Sequence, residues 1–305
     1  MSCHHACSMP DGRFAPSPTG HLHLGNLRTA LLAWLFARHD GGRFLVRVED
    51  LDRAGCRPEL ERSQLDDLAE LGLVPDGPVV RQSERFDVHR AALATLDHQG
   101  RTYPCFCTRR EIAEATRAPH GTAGAYPGTC RDLSRAEQEQ RAAARPPAVR
   151  LRAEGEQVTF RDRLHGTVSG EADDVVLRRN DGAPAYNLAV VVDDLAQGVA
   201  EVVRGDDLLP ATPAQALVAR LLGGEAPSYA HVPLVLGPDG RRLAKRDGAV
   251  TLADQRALGR TAGEVRSMLA ASLGLAEDGE PVDLATLLKR FDPAAVPRTP
   301  WTLSP

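Results

Sequence analysis

Residues 13–48 constrain the fold of this chain more than any other segment. A loop punctuated by proline and glycine at 16–20 leads into residues 24–38, where Leu27, Leu31 and Leu35 recur with helical spacing. Paired glycines follow at 41–42, and residues 43–48 then alternate in a pattern typical of a strand. The order strand, glycine-rich loop, helix, strand predicts a parallel α/β sheet with a nucleotide site at the ends of its strands.

The same α/β pattern continues and is then interrupted. Residues 59–71 and 87–99 have the periodicity of amphipathic helices. Near Tyr103 the amino-acid composition changes, and cysteine, arginine, glycine and proline become frequent. Short segments with strand-like patterns follow at 149–151, 158–160 and 174–177. We interpret residues 101–185 as an insertion in the sheet.

The sheet is predicted to resume after this insertion. Residues 187–192 form an apolar, β-branched run suited to a buried strand, residues 212–222 are helical, and residues 231–236 suit another buried strand. Beyond residue 248 the pattern is helical and ends in a proline-rich tail.

Composition excludes several classes of protein. The 305 residues contain 37 Lys+Arg and 41 Asp+Glu, a net charge of −4, which argues against a protein that coats nucleic acid over its whole surface. No apolar run approaches the roughly 20 residues that cross a bilayer, and residues 1–13 lack a signal-type stretch, so we expect a cytoplasmic protein that does not bind membranes. The six cysteines are too few for a disulfide framework, and we interpret the Cys/His-rich residues 3–7 as incidental.

A first candidate motif lies in the loop before the first helix. Gly20 and Gly25 allow a backbone to approach a phosphate, a helix begins beside them, and the imidazole of His23 can donate to phosphate oxygens. A simple loop with a helix cap is the alternative interpretation of the same residues.

A second candidate motif is the glycine-flanked loop at 241–248. Only two lysines, Lys245 and Lys289, accompany 35 arginines in the chain, and Lys245 lies in this loop just after a predicted strand. A compact ammonium suits the charge of a migrating phosphate group. A solvated basic turn is the alternative.

Together these two motifs resemble the HIGH and KMSKS signatures of class I aminoacyl-tRNA synthetases, at residues 23–26 and 242–246. Residues 13–20, 46–53, 186–194 and 203–208 are similar to the glutamyl branch of that family, in the same order. Asn26 departs from the second histidine of HIGH, and Arg242 and Ala244 depart from a lysine and a serine of KMSKS. The resemblance implies catalytic roles for His23 and Lys245. It also implies that ATP binds together with Mg²⁺, and the expected ATP-binding residues are Pro16, Gly20, His23, Gly25, Asn26, Arg242 and Lys245.

The resemblance also implies a division of the chain. Residues 1–12 are an N-terminal extension, residues 13–100 and 186–240 are the two halves of a Rossmann-type catalytic domain, and residues 101–185 are a zinc-bearing, acceptor-binding insertion. Residues 241–305 hold the KMSKS loop and a short helical C-terminal segment without an anticodon-binding domain.

Glutamate is the amino acid that the glutamyl branch activates. Because it carries two carboxylates and an ammonium, a selective site needs two cationic groups and an anion, and arginine is suited to planar capture of a carboxylate. The resemblance implies Arg13 and Arg204 at the carboxylates, Glu49 at the ammonium, and Tyr186 as a hydroxyl partner. The full set of expected glutamate contacts is Arg13, Phe14, Ala15, Pro16, Ser17, Glu49, Tyr186 and Arg204.

A third motif is a Cys-x-Cys pair at Cys105 and Cys107, followed by Tyr126 and Cys130. Three thiolates in a short segment with little apolar content favour tetrahedral zinc, although spacing alone leaves buried free cysteines, or His120 as the fourth ligand, as alternatives. A similar pattern in glutamyl-type enzymes implies one Zn²⁺ per chain on Cys105, Cys107, Tyr126 and Cys130.

The length narrows the expected substrate. Only 59 residues follow Arg246, whereas an anticodon-reading domain of the usual kind needs roughly 100–200. This layout resembles the short paralogues of glutamyl-tRNA synthetase that attach glutamate to the queuosine base of tRNA(Asp), so the expected partners of a monomer are L-glutamate, ATP and queuosine-containing tRNA(Asp). A non-catalytic binding paralogue and a small-molecule adenylyltransferase are the alternatives.

Overall fold

A computed structural model describes residues 10–116, 126–243, 248 and 250–303. Their strands, in chain order, are β1 (Asp11–Phe14), β2 (Phe44–Val48), β3 (Val80–Arg81), β4 (Thr102–Cys105), β5 (Ala148–Leu151), β6 (Gln157–Asp162), β7 (Gly166–Glu171), β8 (Val176–Arg178), β9 (Val199–Gly205), β10 (Ser228–Val232), β11 (Val235–Leu236) and β12 (Trp301–Thr302). The helices are α1 (Leu24–His39), α2 (Pro58–Glu70), α3 (Phe86–His98), α4 (Arg109–Thr116), α5 (Arg135–Ala142), α6 (Tyr186–Gln197), α7 (Thr212–Leu221), α8 (Leu252–Ala257), α9 (Ala262–Ala271) and α10 (Leu284–Arg290). None of these helices is both long and apolar enough to cross a membrane.

The central sheet has seven strands in the order β3-β2-β1-β9-β10-β6-β7. All neighbouring pairs are parallel except the β6–β7 hairpin. The parallel α/β sheet predicted from the sequence is therefore confirmed. Because the parallel strands point the same way, their carboxyl ends meet along one edge, where open α/β sheets bind ligands.

The predicted insertion at 101–185 divides its strands between two sheets. The strands β4, β5 and β8 form a separate antiparallel sheet, whereas β6 pairs in parallel with β10 of the central sheet. One hairpin of this segment thus extends the central sheet and brings residues near 162 toward the core.

The strand predicted at 187–192 is wrong, because these residues lie in helix α6. A short apolar run cannot be assigned to a strand or a buried helix by periodicity alone. Here α6 packs in one hydrophobic cluster with α7 and β8, which buries its valines on several sides, and Gly198 ends the helix with a φ of 65°.

Helix α1 is stabilised by hydrophobic packing and by the hydrogen bonds of one buried arginine. Its leucines pack in the largest hydrophobic cluster, which also includes residues of β2, β9 and the C-terminal helices α9 and α10. The buried Arg28 donates from Nη1 to the Pro233 carbonyl at 3.2 Å and from Nε to the Ser272 hydroxyl at 3.0 Å. These bonds connect α1 to the segment between β10 and β11 and to the end of α9.

Candidate functional site

One cavity of about 590 Å³ lies at the carboxyl ends of β1, β2 and β9. Its lining contains every described residue that the sequence assigns to ATP or glutamate: Arg13, Phe14, Ala15, Pro16, Ser17, Gly20, His23, Gly25, Asn26, Glu49, Tyr186, Arg204 and Arg242. Lys245 and Ala244 lie outside the described residues. Residues from distant parts of the chain thus share one cavity, while their contacts with ligands stay a prediction.

Asp194, on α6, binds two buried arginines beneath this cavity. Nε and Nη2 of Arg13 each donate to a carboxylate oxygen of Asp194 at 3.2 Å, and Nη1 of Arg47 donates to Oδ1 at 2.6 Å. Burial alone would raise the pKa of Asp194, but the two arginines outweigh burial and hold that pKa below its ordinary value. Arg13 is therefore fixed in place by the protein itself.

Glu49 follows the end of β2 and is incompletely neutralised. Its side chain is 9% exposed, and Nη2 of Arg47 donates to its Oε1 at 3.3 Å. Burial raises the pKa of Glu49, and the attraction of Arg47 and Arg13 does not offset this rise. A cation bound beside Glu49 would supply the missing charge, so this position suits an ammonium group.

Arg204, in β9, makes three hydrogen bonds to buried side chains. It donates from Nε to His231 Nε2 at 3.1 Å, from Nη1 to Gln215 Oε1 at 2.7 Å, and from Nη2 to Thr212 Oγ1 at 2.9 Å. Because a guanidinium has five N–H groups, these bonds leave one on each terminal nitrogen for a ligand in the cavity.

Tyr186 begins α6 and borders the cavity beside these charged groups. Burial raises the pKa of its hydroxyl. The phenol therefore stays protonated at neutral pH and can donate a hydrogen bond.

His23 caps the amino end of α1 with its side chain. Its Nδ1 accepts from the backbone N–H of Asn26 at 3.2 Å, while Asn26 Oδ1 accepts from the backbone N–H of His23 at 3.1 Å. Burial and the nearby charge of Arg242 lower the pKa of His23, which favours its neutral form. Because Nδ1 accepts from the Asn26 N–H, that neutral form carries its proton on Nε2. The ring is thus both a cap and a hydrogen-bond donor, and Asn26 has a structural role of its own.

The two glycines predicted to approach phosphate differ in their surroundings. A Cβ built on Gly25 would lie 2.9 Å from His23 Cε1 and 3.3 Å from Val235 Cβ. No heavy atom comes within 4 Å of such a Cβ at Gly20. Packing of the His23 ring therefore requires glycine at 25, whereas packing gives no reason for glycine at 20.

Gln64 is a lining residue that the sequence analysis missed. This buried side chain of α2 donates from Nε2 to the carbonyls of Ser17 and Gly20, at 3.0 and 2.6 Å, and so fastens the loop between β1 and α1. Nothing in the sequence distinguishes it from the other polar positions of an amphipathic helix.

Arg242 lies where the second motif begins. It pairs across an antiparallel bridge with Leu236 of β11, and its Nη1 donates to Asp207 Oδ2 at 2.8 Å. The Arg242 side chain is 60% exposed, so this ion pair is open to solvent.

The three cysteines of the third motif converge beside the sheet of β4, β5 and β8. Their sulfur atoms all lie within 4.8 Å of one another, and the Sγ atoms of Cys107 and Cys130 are 3.5 Å apart. The Tyr126 hydroxyl lies 3.3 Å from Cys105 Sγ and 3.5 Å from Cys107 Sγ. Zinc–sulfur bonds of about 2.3 Å place tetrahedral sulfurs about 3.8 Å apart, so this donor set fits zinc. His120 lies outside the described residues.

A second cavity, of about 750 Å³, is lined both by residues of the cysteine motif and by residues of the first cavity. The two cavities share Ser17, Thr19, Glu49 and Tyr186. Cys105, Phe106 and Cys107 line its far side, together with Arg145 and Arg179. The Glu49 side chain therefore borders both cavities.

Comparison with known proteins places these features in one group of enzymes. Residues 11–276 match the family model for the catalytic domain of class I tRNA synthetases (E and Q). The chain is 62% identical over 294 residues to the glutamyl-Q tRNA(Asp) synthetase of Nocardia farcinica, covering 96% of this chain and 93% of that protein. It is 48% identical to the glutamyl-Q tRNA(Asp) synthetase of Symbiobacterium thermophilum, over 95% and 94% of the two chains.

The fold of the chain is also similar to that of a solved glutamate tRNA ligase. The chain superposes with a TM-score of 0.83, at 31% identity, on a glutamate tRNA ligase from Elizabethkingia meningosepticum crystallised with its amino acid. The match covers 97% of this chain and 67% of that one.

Proposed function

Because this chain belongs to the glutamyl-Q tRNA(Asp) synthetases, within the glutamyl and glutaminyl class I tRNA synthetases, we propose that it activates L-glutamate with ATP and transfers it to the queuosine base of tRNA(Asp). One observation carries the proposal: a single cavity holds two fixed arginines and a partly neutralised carboxylate at one end, and a capped helix start with a histidine donor at the other. The first end suits an amino acid with two carboxylates, and the second suits phosphates. We expect the enzyme to act as a cytoplasmic monomer.

In the first step, the α-carboxylate of glutamate attacks the α-phosphorus of ATP and releases pyrophosphate. Arg13 and Arg204 hold the two carboxylates, and Glu49 holds the ammonium. His23 and Arg242, with Lys245 of the loop, stabilise negative charge on the phosphates, so catalysis rests on positioning and electrostatics. Mg²⁺ bound with ATP would neutralise further phosphate charge.

In the second step, a hydroxyl of the cyclopentene diol of queuosine attacks the activated carbonyl of glutamyl-adenylate. The new ester joins glutamate to the modified base, AMP leaves, and the hydroxyl proton is lost. The second cavity supports this step because Glu49 and Tyr186 line both cavities. Arg145 and Arg179 on its wall suit the negative charge of an RNA backbone.

Zinc is the proposed occupant of the cysteine cluster. Cys105, Cys107 and Cys130 would hold it with Tyr126, and the metal would order a segment with few apolar contacts. Metal analysis of the purified protein should return about one zinc per chain, and Cys105→Ser should lose it. A stable wild-type protein without metal would contradict this assignment.

Pyrophosphate exchange tests the activation step. The purified protein with glutamate should exchange labelled pyrophosphate into ATP without any tRNA. Lys245→Ala should slow this exchange by roughly 100-fold or more, since it removes a charge that stabilises the transition state, with circular dichroism as the control for folding. Exchange by Lys245→Ala at the wild-type rate would remove the loop lysine from the mechanism.

Transfer of labelled glutamate tests the acceptor. Label should enter tRNA(Asp) that contains queuosine, and not tRNA(Asp) that lacks it. Labelling of tRNA(Glu) at its 3′ end would contradict the proposal. Binding of ATP and glutamate without exchange would instead favour a non-catalytic paralogue, as the Asn26, Arg242 and Ala244 departures allow.

A further inference from the structure

A chain of buried hydrogen bonds runs behind Arg204, away from the cavity. Arg204 Nε donates to His231 Nε2 at 3.1 Å, and His231 Nδ1 lies 2.6 Å from Asp162 Oδ2. The three side chains are each 5% exposed or less. Asp162 and His231 do not line the cavity, and His231 contacts the lining residue Arg204, so the pair acts on a ligand through Arg204.

Asp162 is saturated with donors. Its Oδ1 accepts from the backbone N–H groups of Leu164 and His165, both at 2.9 Å. Its Oδ2 accepts from the backbone N–H of His231 at 3.2 Å and faces His231 Nδ1. Hydrogen bonds from these groups hold the pKa of Asp162 low against the effect of burial, so the carboxylate stays ionised.

These contacts admit one neutral form of His231. An ionised carboxylate opposite Nδ1 requires the proton on Nδ1, and this leaves Nε2 as the acceptor that Arg204 Nε–H needs. A proton on Nε2 would face the Nε–H donor of Arg204, and the Thr212 hydroxyl, 3.1 Å from Nε2, already accepts from Arg204 Nη2 and donates to the Leu208 carbonyl. Burial and the charge of Arg204 lower the pKa of His231, which favours the neutral ring.

The geometry points to Asp162 and His231 as positioning residues for glutamate: Asp162 fixes the His231 tautomer, and His231 fixes the guanidinium of Arg204 in the orientation that receives a carboxylate. This inference rests on the proposed role of Arg204 in glutamate binding. Gln215 and Thr212 accept from the two terminal nitrogens of Arg204, and the relay formed by Asp162 and His231 holds the third nitrogen, Nε.

Asp162→Asn removes the negative charge of the relay with little change in side-chain size. A carboxamide offers one acceptor oxygen, whereas the site presents two pairs of donors, so its NH₂ must face either His231 or the Leu164 and His165 amides. When the NH₂ group faces His231, Nδ1 must accept from it, so the imidazole carries its proton on Nε2 and presents a donor to Arg204 Nε–H. The same exchange of Asp for Asn selects the wrong histidine tautomer in serine protease triads.

Calorimetric binding and pyrophosphate exchange test the relay together. Asp162→Asn should weaken glutamate binding and raise the KM for glutamate by roughly tenfold or more, while the Kd and KM for ATP and kcat change by less than about threefold. The exposed Asp278→Asn is the matched control and should leave all of these values unchanged.

Two variants of His231 keep the inference testable if Asp162→Asn folds poorly. His231→Gln retains an acceptor for Arg204 and a donor for Asp162, so it should stay within about threefold of wild-type glutamate affinity, whereas His231→Leu should lose about tenfold. Unchanged glutamate affinity in both Asp162→Asn and His231→Leu would overturn the inference, as would equal losses for glutamate and ATP. A wild-type protein that binds glutamate without exchange would contradict the proposed function alone.

Discussion

The two ends of the first cavity are stabilised in different ways. At the charged end, formed by Arg13 and Arg204, every guanidinium has buried acceptors, and Asp194 joins Arg13 to Arg47. At the loop end, formed by His23 and Arg242, the His23 side chain makes a helix cap and the Arg242 side chain makes an exposed ion pair. The charged end is therefore built before any ligand arrives, whereas the loop end leaves a cationic side chain free to move toward phosphate.

Removing Asp194 should have the largest effect on stability. Asp194→Ala leaves Arg13 and Arg47 buried without their main counter-charge, so the free energy of unfolding should fall by roughly 3–5 kcal/mol. Urea unfolding followed by circular dichroism measures the change. A loss below about 1 kcal/mol would show that the charged end is not preorganised by this network.

Sequence reasoning located both ends of the cavity but not what stabilises them. Arg47 and Asp194 both lie in segments that carried the resemblance, yet they are 147 residues apart and meet only because α6 packs against β9, in the sheet that also contains β2. Asp162 falls in the predicted insertion, and it reaches His231, the partner of Arg204, only because the β6–β7 hairpin joins β10. Partners of this kind depend on topology, which local periodicity does not encode.

Local geometry was easier to predict. The cysteine cluster was expected from its spacing together with the family resemblance, and α1 follows from its leucine periodicity. The error at 187–192 arose because a helix buried on several sides loses the polar face that identifies it. His23 and Gly25 were identified for phosphate binding, and the structure adds that each also supports the start of α1.

The helix cap at the loop end should have the next largest effect. His23→Ala removes the acceptor for the Asn26 N–H and should cost about 1 kcal/mol of unfolding free energy. His23→Asn keeps a capping oxygen and should unfold within about 0.5 kcal/mol of wild type, but it lacks the Nε2 donor and should slow pyrophosphate exchange roughly 100-fold. Equal exchange rates in His23→Asn and wild type would limit His23 to its capping role.

The pH dependence of the free energy of unfolding should show whether His23, at the loop end, is neutral in the folded protein. The pKa of His23 in the folded protein lies below its ordinary value of 6.5. As pH falls below 6.5 the unfolded chain takes up a proton that the folded chain does not, so stability is full above pH 6.5 and decreases as pH falls toward the folded pKa.

His23→Asn should lose less stability than wild type between pH 7.5 and 5, by about 1 kcal/mol or less in urea titrations. His231, whose pKa is also lowered, and Glu201, whose pKa burial raises to about 7, remain in both proteins and cancel from the difference. Parallel stability curves for the two proteins would mean that the folded pKa of His23 is not lowered.

The ion pair at the loop end should have the smallest effect. Asp207→Ala removes the partner of Arg242, but both side chains are partly exposed, so the free energy of unfolding should change by less than about 1 kcal/mol and less still at high salt. Freed from Asp207, Arg242 remains available to phosphate, and the KM for ATP should stay the same or fall. A destabilisation as large as that of Asp194→Ala would mean that the loop end is as rigidly built as the charged end, which would remove the contrast between them.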